Sequence, residues 1–284
     1  MKHSKKVVLM VAAVSVLVIA LIIGCAVIFG FKIMQPNEQQ KIKETDSSGI
    51  KSSESQVVSS NDQATTSIAS SPTQEQTDEE LPKASSELIR LLSLDSDNVE
   101  QLTELGCRQL VTVESAGSEA QISFYELQNN EWLSNDDLCC AGYVGHNGVT
   151  ENMHEGGYAT PKGLYAVGEA FYIDDIPTTG LDIFQITDQT YWVDDPDSSM
   201  YNRRVEGREN ADWNSAEHMI DYRPNYDYGF VINYNTEAIY NAGSAIFFHY
   251  SGSPTAGCVG TSTNMVLQYL AVLDKTKNPY ILIL

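Results

Sequence analysis

The chain has 284 residues, and 38 acidic against 17 basic side chains give it a formal net charge of −21. No stretch gathers Lys and Arg into a stripe, which excludes the phosphate-tracking surface that nucleic-acid binding needs. The acidic balance suits solubility and a cationic or amine-bearing substrate, and it leaves the fold open.

The N-terminus reads Met1-Lys2-His3-Ser4-Lys5-Lys6, followed by an apolar run from Val7 to Phe31 with no charged residue before Lys32. About 24 apolar residues at ~1.5 Å rise each can cross a hydrocarbon core of ~30 Å. A cleaved signal peptide usually has a shorter apolar region, of about 7–15 residues. The lysine flank predicts residues 1–6 as a cytoplasmic tail and 7–31 as a single-pass transmembrane helix in the cell membrane. The remainder is then extracytoplasmic. Ile22-Ile23-Gly24-Cys25 also resembles a bacterial lipobox, so a lipid anchor at Cys25 is the alternative, although the apolar run continues past it.

Residues 32–85 are rich in Ser, Thr, Gln, Asp, Glu and Lys and poor in large apolar side chains. Such a segment buries too little surface to offset its ordering entropy, so it reads as a disordered extracytoplasmic stalk. Ordered chain is expected over residues 86–284. Glu87-Leu-Ile-Arg-Leu-Leu92 places apolar residues on one face of a short helix. Gln109–Glu114 and Ala120–Gln128 then read as strands, the second alternating apolar with polar. Gly163–Val167, Asp182–Ile186, Thr190–Val193, Gly229–Asn233 and Ala245–His249 are further strands, and Gly, Pro, Asn and Asp punctuate them. A helix is expected from Thr263 to Asp274 and a last strand over Tyr280–Leu284. Many short strands predict a mainly β fold, a sandwich or barrel, with one short C-terminal helix.

There are five cysteines. Cys107, Cys139, Cys140 and Cys258 would lie outside the membrane, where disulfides persist. A bridge from Cys107 to Cys139 or to Cys140 is compatible with the sequence. A free Cys258 would leave three others, which cannot all pair.

The chemistry concentrates in Ser244-Ala-Ile-Phe-Phe-His249-Tyr-Ser-Gly-Ser-Pro-Thr255-Ala-Gly-Cys258-Val-Gly260. A histidine ends an apolar strand, and a cysteine among small residues follows. A free thiol with pKa of ~8.5 is a weak nucleophile at neutral pH until a base takes its proton. His249 can be that base. Gly257 and Gly260 leave room for a substrate backbone and for N–H groups aimed at an oxyanion. A small buried core cysteine beside a hydrogen-bonded histidine is the competing structural reading.

The chain resembles the L,D-transpeptidase family of bacterial cell-wall enzymes, those with the YkuD-type catalytic domain. The resemblance runs from Gln109 to Leu284 through Gly145-His-Asn-Gly148, Glu155-Gly156, Ala159-Thr-Pro-Lys-Gly163, Trp192-Val-Asp-Asp-Pro196 and Tyr201-Asn-Arg203. It continues with Ser215-Ala-Glu217, Gly243-Ser-Ala-Ile-Phe-Phe-His249 and Thr255-Ala-Gly-Cys258-Val. The resemblance implies Cys258 as nucleophile, His249 as general base, and the carbonyl of Tyr250 as the group that orients the imidazole. It also implies oxyanion donors at Gly257 and Cys258. No cofactor and no metal are implied. His146 and His154 bracket a Gly-rich loop without Cys or Asp at ligand spacing. Thr255-Ala-Gly-Cys258-Val-Gly260 departs from the commoner Ser-His-Gly-Cys-x-Arg, and the Thr-Ala-Gly-Cys branch shares that loss. Gly157-Tyr158 departs as well.

Five further residues match the family in a polar run: Asp194, Asp195, Tyr201, Asn202 and Arg203. Arg203 could clamp a substrate carboxylate with its guanidinium fork. Internal Asp–Arg pairing in a structured loop is the alternative. Glu217 and His218 read as a short helix with a structural role, and Thr160-Pro161 as a structural turn into a strand.

The expected activity is 3→3 cross-linking of peptidoglycan stem peptides through a thioester acyl-enzyme. Three rivals stand beside it. An L,D-carboxypeptidase would use water as acceptor at the same site. A sortase-like transpeptidase would need an Arg after the Cys. A non-catalytic cell-wall-binding module would leave Cys258 unreactive.

Overall fold

The computed structural model describes residues 80–284. The expected tail, membrane helix and most of the stalk lie outside the described residues. Regular structure starts a little before Ser86. Lys83 forms a parallel bridge with Glu131, and Trp132 N donates to Lys83 O at 2.8 Å.

Helix α1 (Ser86–Ser93) is capped by Ser85, whose side chain accepts from Leu88 N at 3.1 Å. Its apolar face buries Leu88, Leu91 and Leu92. Helix α2 (Val99–Glu104) follows, capped by Asn98. Its six residues carry little periodicity, and only Leu102 is buried.

The strands are β1 (Gln109–Ala116), β2 (Glu119–Gln128), β3 (Glu131–Ser134), β4 (Cys140–Tyr143), β5 (Val149–Thr150), β6 (Thr160–Pro161) and β7 (Gly163–Tyr172). Next come β8 (Ile183–Gln185), β9 (Thr190–Val193), β10 (Arg204–Glu206), β11 (Ala216–His218) and β12 (Tyr228–Ile232). β13 (Phe247–Tyr250) and β14 (Val259–Thr261) precede helix α3 (Thr263–Val272), and β15 (Pro279–Ile283) is last.

The main sheet runs β1-β15-β7-β12-β13-β14-β4-β2-β3, and β2 also pairs with β1, so the ladder closes into a barrel-like ring. Closure leaves that ring without free edges. The expected mainly β architecture with a short C-terminal helix is therefore present. A smaller sheet, β10-β9-β11, stands apart. Glu217 and His218 lie in β11 rather than in a helix, because the ladder to β9 pairs them with Trp192 and Tyr191.

Alternation along each strand sorts side chains into clusters. In β13, Phe248 joins one cluster with Ile122, Phe124, Phe230, Val259 and Ile281. Helix α3 adds Val266, Tyr269 and Leu270 to it. Phe247 points the other way, into a second cluster with Phe171, Trp192, Met219, Tyr226 and Cys258. The helices α1 and α2 cover a third, around Leu110, Tyr125 and Leu282. All four described cysteines are free thiols. The bridge considered from Cys107 is not formed. Its thiol is buried in the third cluster and donates to Gln109 O at 3.2 Å, whereas Cys140 packs against the first cluster and meets Thr261 Oγ1.

Candidate active site

His249 and Cys258 sit on neighbouring parallel strands or their ends. β13 pairs with β14 in the register Phe248 to Val259 and His249 to Gly260. His249 shares the β13 face of Phe247, and the Phe247 N–H donates to Cys258 Sγ at 3.4 Å. Both residues line one cavity of about 520 Å³, together with Glu155, Asp194, Glu217, Tyr226 and Ser244. The helix expected from Thr263 follows Cys258 after a short strand, β14, and is capped by Ser262.

The carbonyl of the next residue orients the imidazole. His249 Nδ1 lies 2.7 Å from Tyr250 O, and Asn225 Nδ2 donates to the same carbonyl at 3.0 Å. A carbonyl can only accept, so Nδ1 carries the proton and Nε2 keeps its lone pair. Burial lowers the His249 pKa to about 4, against the opposing effect of the Tyr250 carbonyl. The ring is therefore neutral at neutral pH and available as a base.

The thiol is held just as firmly. Cys258 Sγ donates to Ala245 O at 3.3 Å. Its carbonyl accepts from Thr255 Oγ1 at 2.6 Å and from Thr160 Oγ1 at 3.3 Å. Thr160, read from sequence as a structural turn residue, thus fixes the backbone of the candidate nucleophile. Burial pushes the thiol pKa well up, and the charge of Glu217 adds to it. No hydrogen bond joins the His249 ring to Cys258 Sγ among the described residues. The resting pair is a neutral thiol and a neutral imidazole, so proton removal must accompany attack rather than precede it.

Tyr226 connects the neighbours. Its ring edge packs on His249 at 5.1 Å and on Phe247 at 5.4 Å between centroids. Its hydroxyl donates to Glu217 Oε2 at 2.8 Å and opposes the burial that raises the Cys258 pKa. Glu217 is pushed up to about 7, first by burial and then by the charges of Asp194 and Glu155, with the Tyr226 hydroxyl opposing. Sequence reading missed Tyr226 altogether and gave Glu217 only a structural part. Tyr226 comes from a loop with no motif, and only packing brings it here.

Of the other residues named from sequence, Asp194 and Gly257 line the cavity, whereas Tyr250, Asp195, Tyr201, Asn202 and Arg203 stay off its wall. Asp195 accepts from Asn214 N at 2.7 Å, Asn214 Nδ2 at 3.0 Å and Asp197 N at 3.0 Å. These bonds hold its carboxyl below the usual range and make it a loop clasp. Asn202 donates to Tyr234 O and Asn235 O, both at 2.9 Å. Its Oδ1 accepts from Trp192 Nε1 at 2.9 Å and Ala245 N at 3.2 Å. Tyr201 donates to Glu155 Oε1 at 2.5 Å and accepts from Gly243 N at 2.9 Å. Arg203 is exposed and, among the described residues, makes no ion pair, so the internal Asp–Arg pairing does not form. Gly257 N donates to Thr255 Oγ1 at 3.2 Å, so an oxyanion would compete with that hydroxyl for it.

No protein-family model matches this chain, and no curated protein matches it. Among solved structures it is similar to the helical cell shape determining protein Pgp2 from Campylobacter jejuni. The identity is 14%, over 62% of this chain and 47% of that chain, with a TM-score of 0.32. The chain thus spans less than half the length of that protein, and so loose a superposition assigns neither family nor chemistry.

Proposed function

We propose that this chain is a cysteine-dependent L,D-transpeptidase that cross-links peptidoglycan stem peptides through a thioester acyl-enzyme. The observation that carries the reading is a single cavity that holds Cys258 beside an imidazole whose Nδ1 is anchored on the Tyr250 carbonyl. The resemblance of the Ile-Phe-Phe-His249 and Thr-Ala-Gly-Cys258 segments to that family supplies the reaction. Cys258 Sγ attacks the carbonyl between the third stem residue, a diamino acid, and a terminal D-alanine. The C–S bond forms, and the thiol proton passes to His249 Nε2 and then to the departing amine of D-alanine. The side-chain amine of a second stem then attacks the thioester, the new amide forms, and Cys258 recovers its proton. A membrane-anchored, extracytoplasmic position fits this substrate. The cavity wall carries no arginine, which leaves the sortase-like alternative without its needed group.

The test is mass spectrometry of the full chain incubated with a purified disaccharide-tetrapeptide. Cross-linked dimer with loss of D-alanine, absent with Cys258→Ala, is expected. Tripeptide alone would mean that water is the acceptor. An unchanged substrate and a Cys258 inert to a carbapenem would remove the enzyme reading and leave a wall-binding module.

A further inference from the structure

Attack by a thiol does not require an acidic cavity, yet this one is acidic. Glu155, Asp194 and Glu217 all line it, and neither Lys nor Arg does. None of the three is in an ion pair among the described residues. They come from separate places in the fold: Glu155 from the loop between β5 and β6, Asp194 from the end of β9, and Glu217 from β11 beside it. Gathering like charges is unfavourable, and the effect of Asp194 and Glu155 on Glu217 reports that repulsion.

A second observation points to a ligand. Asp194 Oδ1 and Ser244 Oγ are buried and have no hydrogen-bond partner. Ser244 is only 7% exposed, and both residues line the cavity. Buried oxygens are normally paired, so two open acceptors on an acidic wall call for a donor-bearing cation. Among the described residues, no three side chains of His, Cys, Asp or Glu converge at metal-ligand spacing. An alkylammonium group, with three N–H donors on one nitrogen, fits this arrangement.

Building on the transpeptidase reading, we propose that Asp194, Ser244 and Glu217 form the subsite that receives the primary ammonium of the acyl acceptor beside Cys258. The ammonium donates to Asp194 Oδ1 and Ser244 Oγ and passes one proton to the Glu217 carboxylate. The neutral amine then attacks the thioester carbon. The C–N bond forms, the C–S bond to Cys258 breaks, and the second proton moves through His249 to the departing thiolate. A site of this kind concentrates amine over water at the acyl-enzyme and so favours cross-linking over hydrolysis. Glu217, pushed up to about 7, is suited to hold that first proton at neutral pH.

The test is calorimetric titration of the full chain with Nα-acetyl-lysine amide and with its Nε-acetylated counterpart, which has no charge. The free amine is expected to bind and the acetylated probe to fail. Asp194→Asn should weaken amine binding about tenfold, the loss of one charge-assisted hydrogen bond, and Ser244→Ala about fivefold. Circular dichroism checks that both variants fold. Equal binding of the two probes, or an affinity unchanged in both variants, overturns the subsite. Intact-mass analysis with a D-alanine-terminated tetrapeptide runs beside it. Acylated Cys258 with amine binding indifferent to Asp194→Asn overturns the subsite alone. Amine binding that needs Asp194, with Cys258 never acylated, supports the ammonium site and overturns the transpeptidase reading.

Discussion

Asn202 Oδ1 accepts the backbone N–H of Ala245 at 3.2 Å, and the carbonyl of that same Ala245 receives the Cys258 thiol at 3.3 Å. A side chain off the cavity wall therefore sets the peptide on which the candidate nucleophile rests. Asn202 also ties Trp192 and the carbonyls of Tyr234 and Asn235 together. Asn202→Ala leaves several half-buried polar groups unpaired, and a loss of about 2–4 kcal/mol is expected. Urea unfolding measures it. A loss below half of that range would mean that water replaces the carboxamide.

Tyr226→Phe removes the hydroxyl that bonds Glu217 and opposes the burial that raises the Cys258 pKa. The thiol should then ionise less readily. Alkylation of Cys258 by iodoacetamide at mildly alkaline pH is expected to slow about threefold to tenfold, since one pKa unit is a factor of ten in thiolate. Alkylation at the original rate would show that the hydroxyl does not act on the sulfur.

His249 and Glu217 have opposite effects on stability as pH changes. His249 titrates near 4 in the folded chain against an ordinary 6.5, so the unfolded chain binds more protons and stability falls as pH drops through that window. Glu217 titrates near 7 against an ordinary 4.5, so the folded chain binds more protons and stability falls as pH rises through that window. Between 4.5 and 6.5 the two slopes oppose each other. Glu217→Gln leaves the histidine slope alone. Across that range, its unfolding free energy should rise with pH more steeply than that of the unaltered chain, by about 1 kcal/mol per pH unit. Parallel curves would show that Glu217 titrates normally.

Gly260 pairs with His249 across the β13–β14 ladder. A Cβ there would come within 2.4 Å of Ser251 Cβ, next to the chain. Gly260→Ala must push β14 away from β13 and carry Cys258 with it. A destabilisation of about 1–3 kcal/mol is expected, with acylation slowed further than stability alone explains. Thermal unfolding and the rate of acyl-enzyme formation check the two parts separately.

Long alternating runs were legible in the sequence. Gln109–Glu114 and Ala120–Gln128 become β1 and β2 almost as read, and Gly229–Asn233 becomes β12 within a residue at each end. The two- and three-residue strands β5, β6, β10 and β11 were not, because so few residues show no period and are fixed by their ladders. β14 was hidden by its small residues, Val259-Gly-Thr261.

At the candidate site, a strand-ending His249 followed by Cys258 among small residues could be read from chain order, while Tyr250 came only from the family resemblance. Tyr226, Glu217 and Ser244 were not legible, since their parts arise from a loop, a three-residue strand and a hydroxyl that acquire meaning only when packed together. Asp195, Tyr201 and Asn202, named from the family resemblance, lie off the cavity lining. Tyr201 and Asn202 bond the lining residues Glu155 and Ala245, and Asp195 ties its own loop.

The closed ring of strands also fixes an order of events. β15 sits between β1 and β7, and a ribosome delivers its residues after Cys258. Until Pro279–Ile283 slots into place the ring stays open, and pairing of strands so distant in sequence is slow. Cys258, which ends only 7% exposed, is meanwhile open to oxidants and to the other cysteines of the chain. Cys258 is thus most vulnerable while the chain is new. Reducing conditions matter more for making this protein than for keeping it.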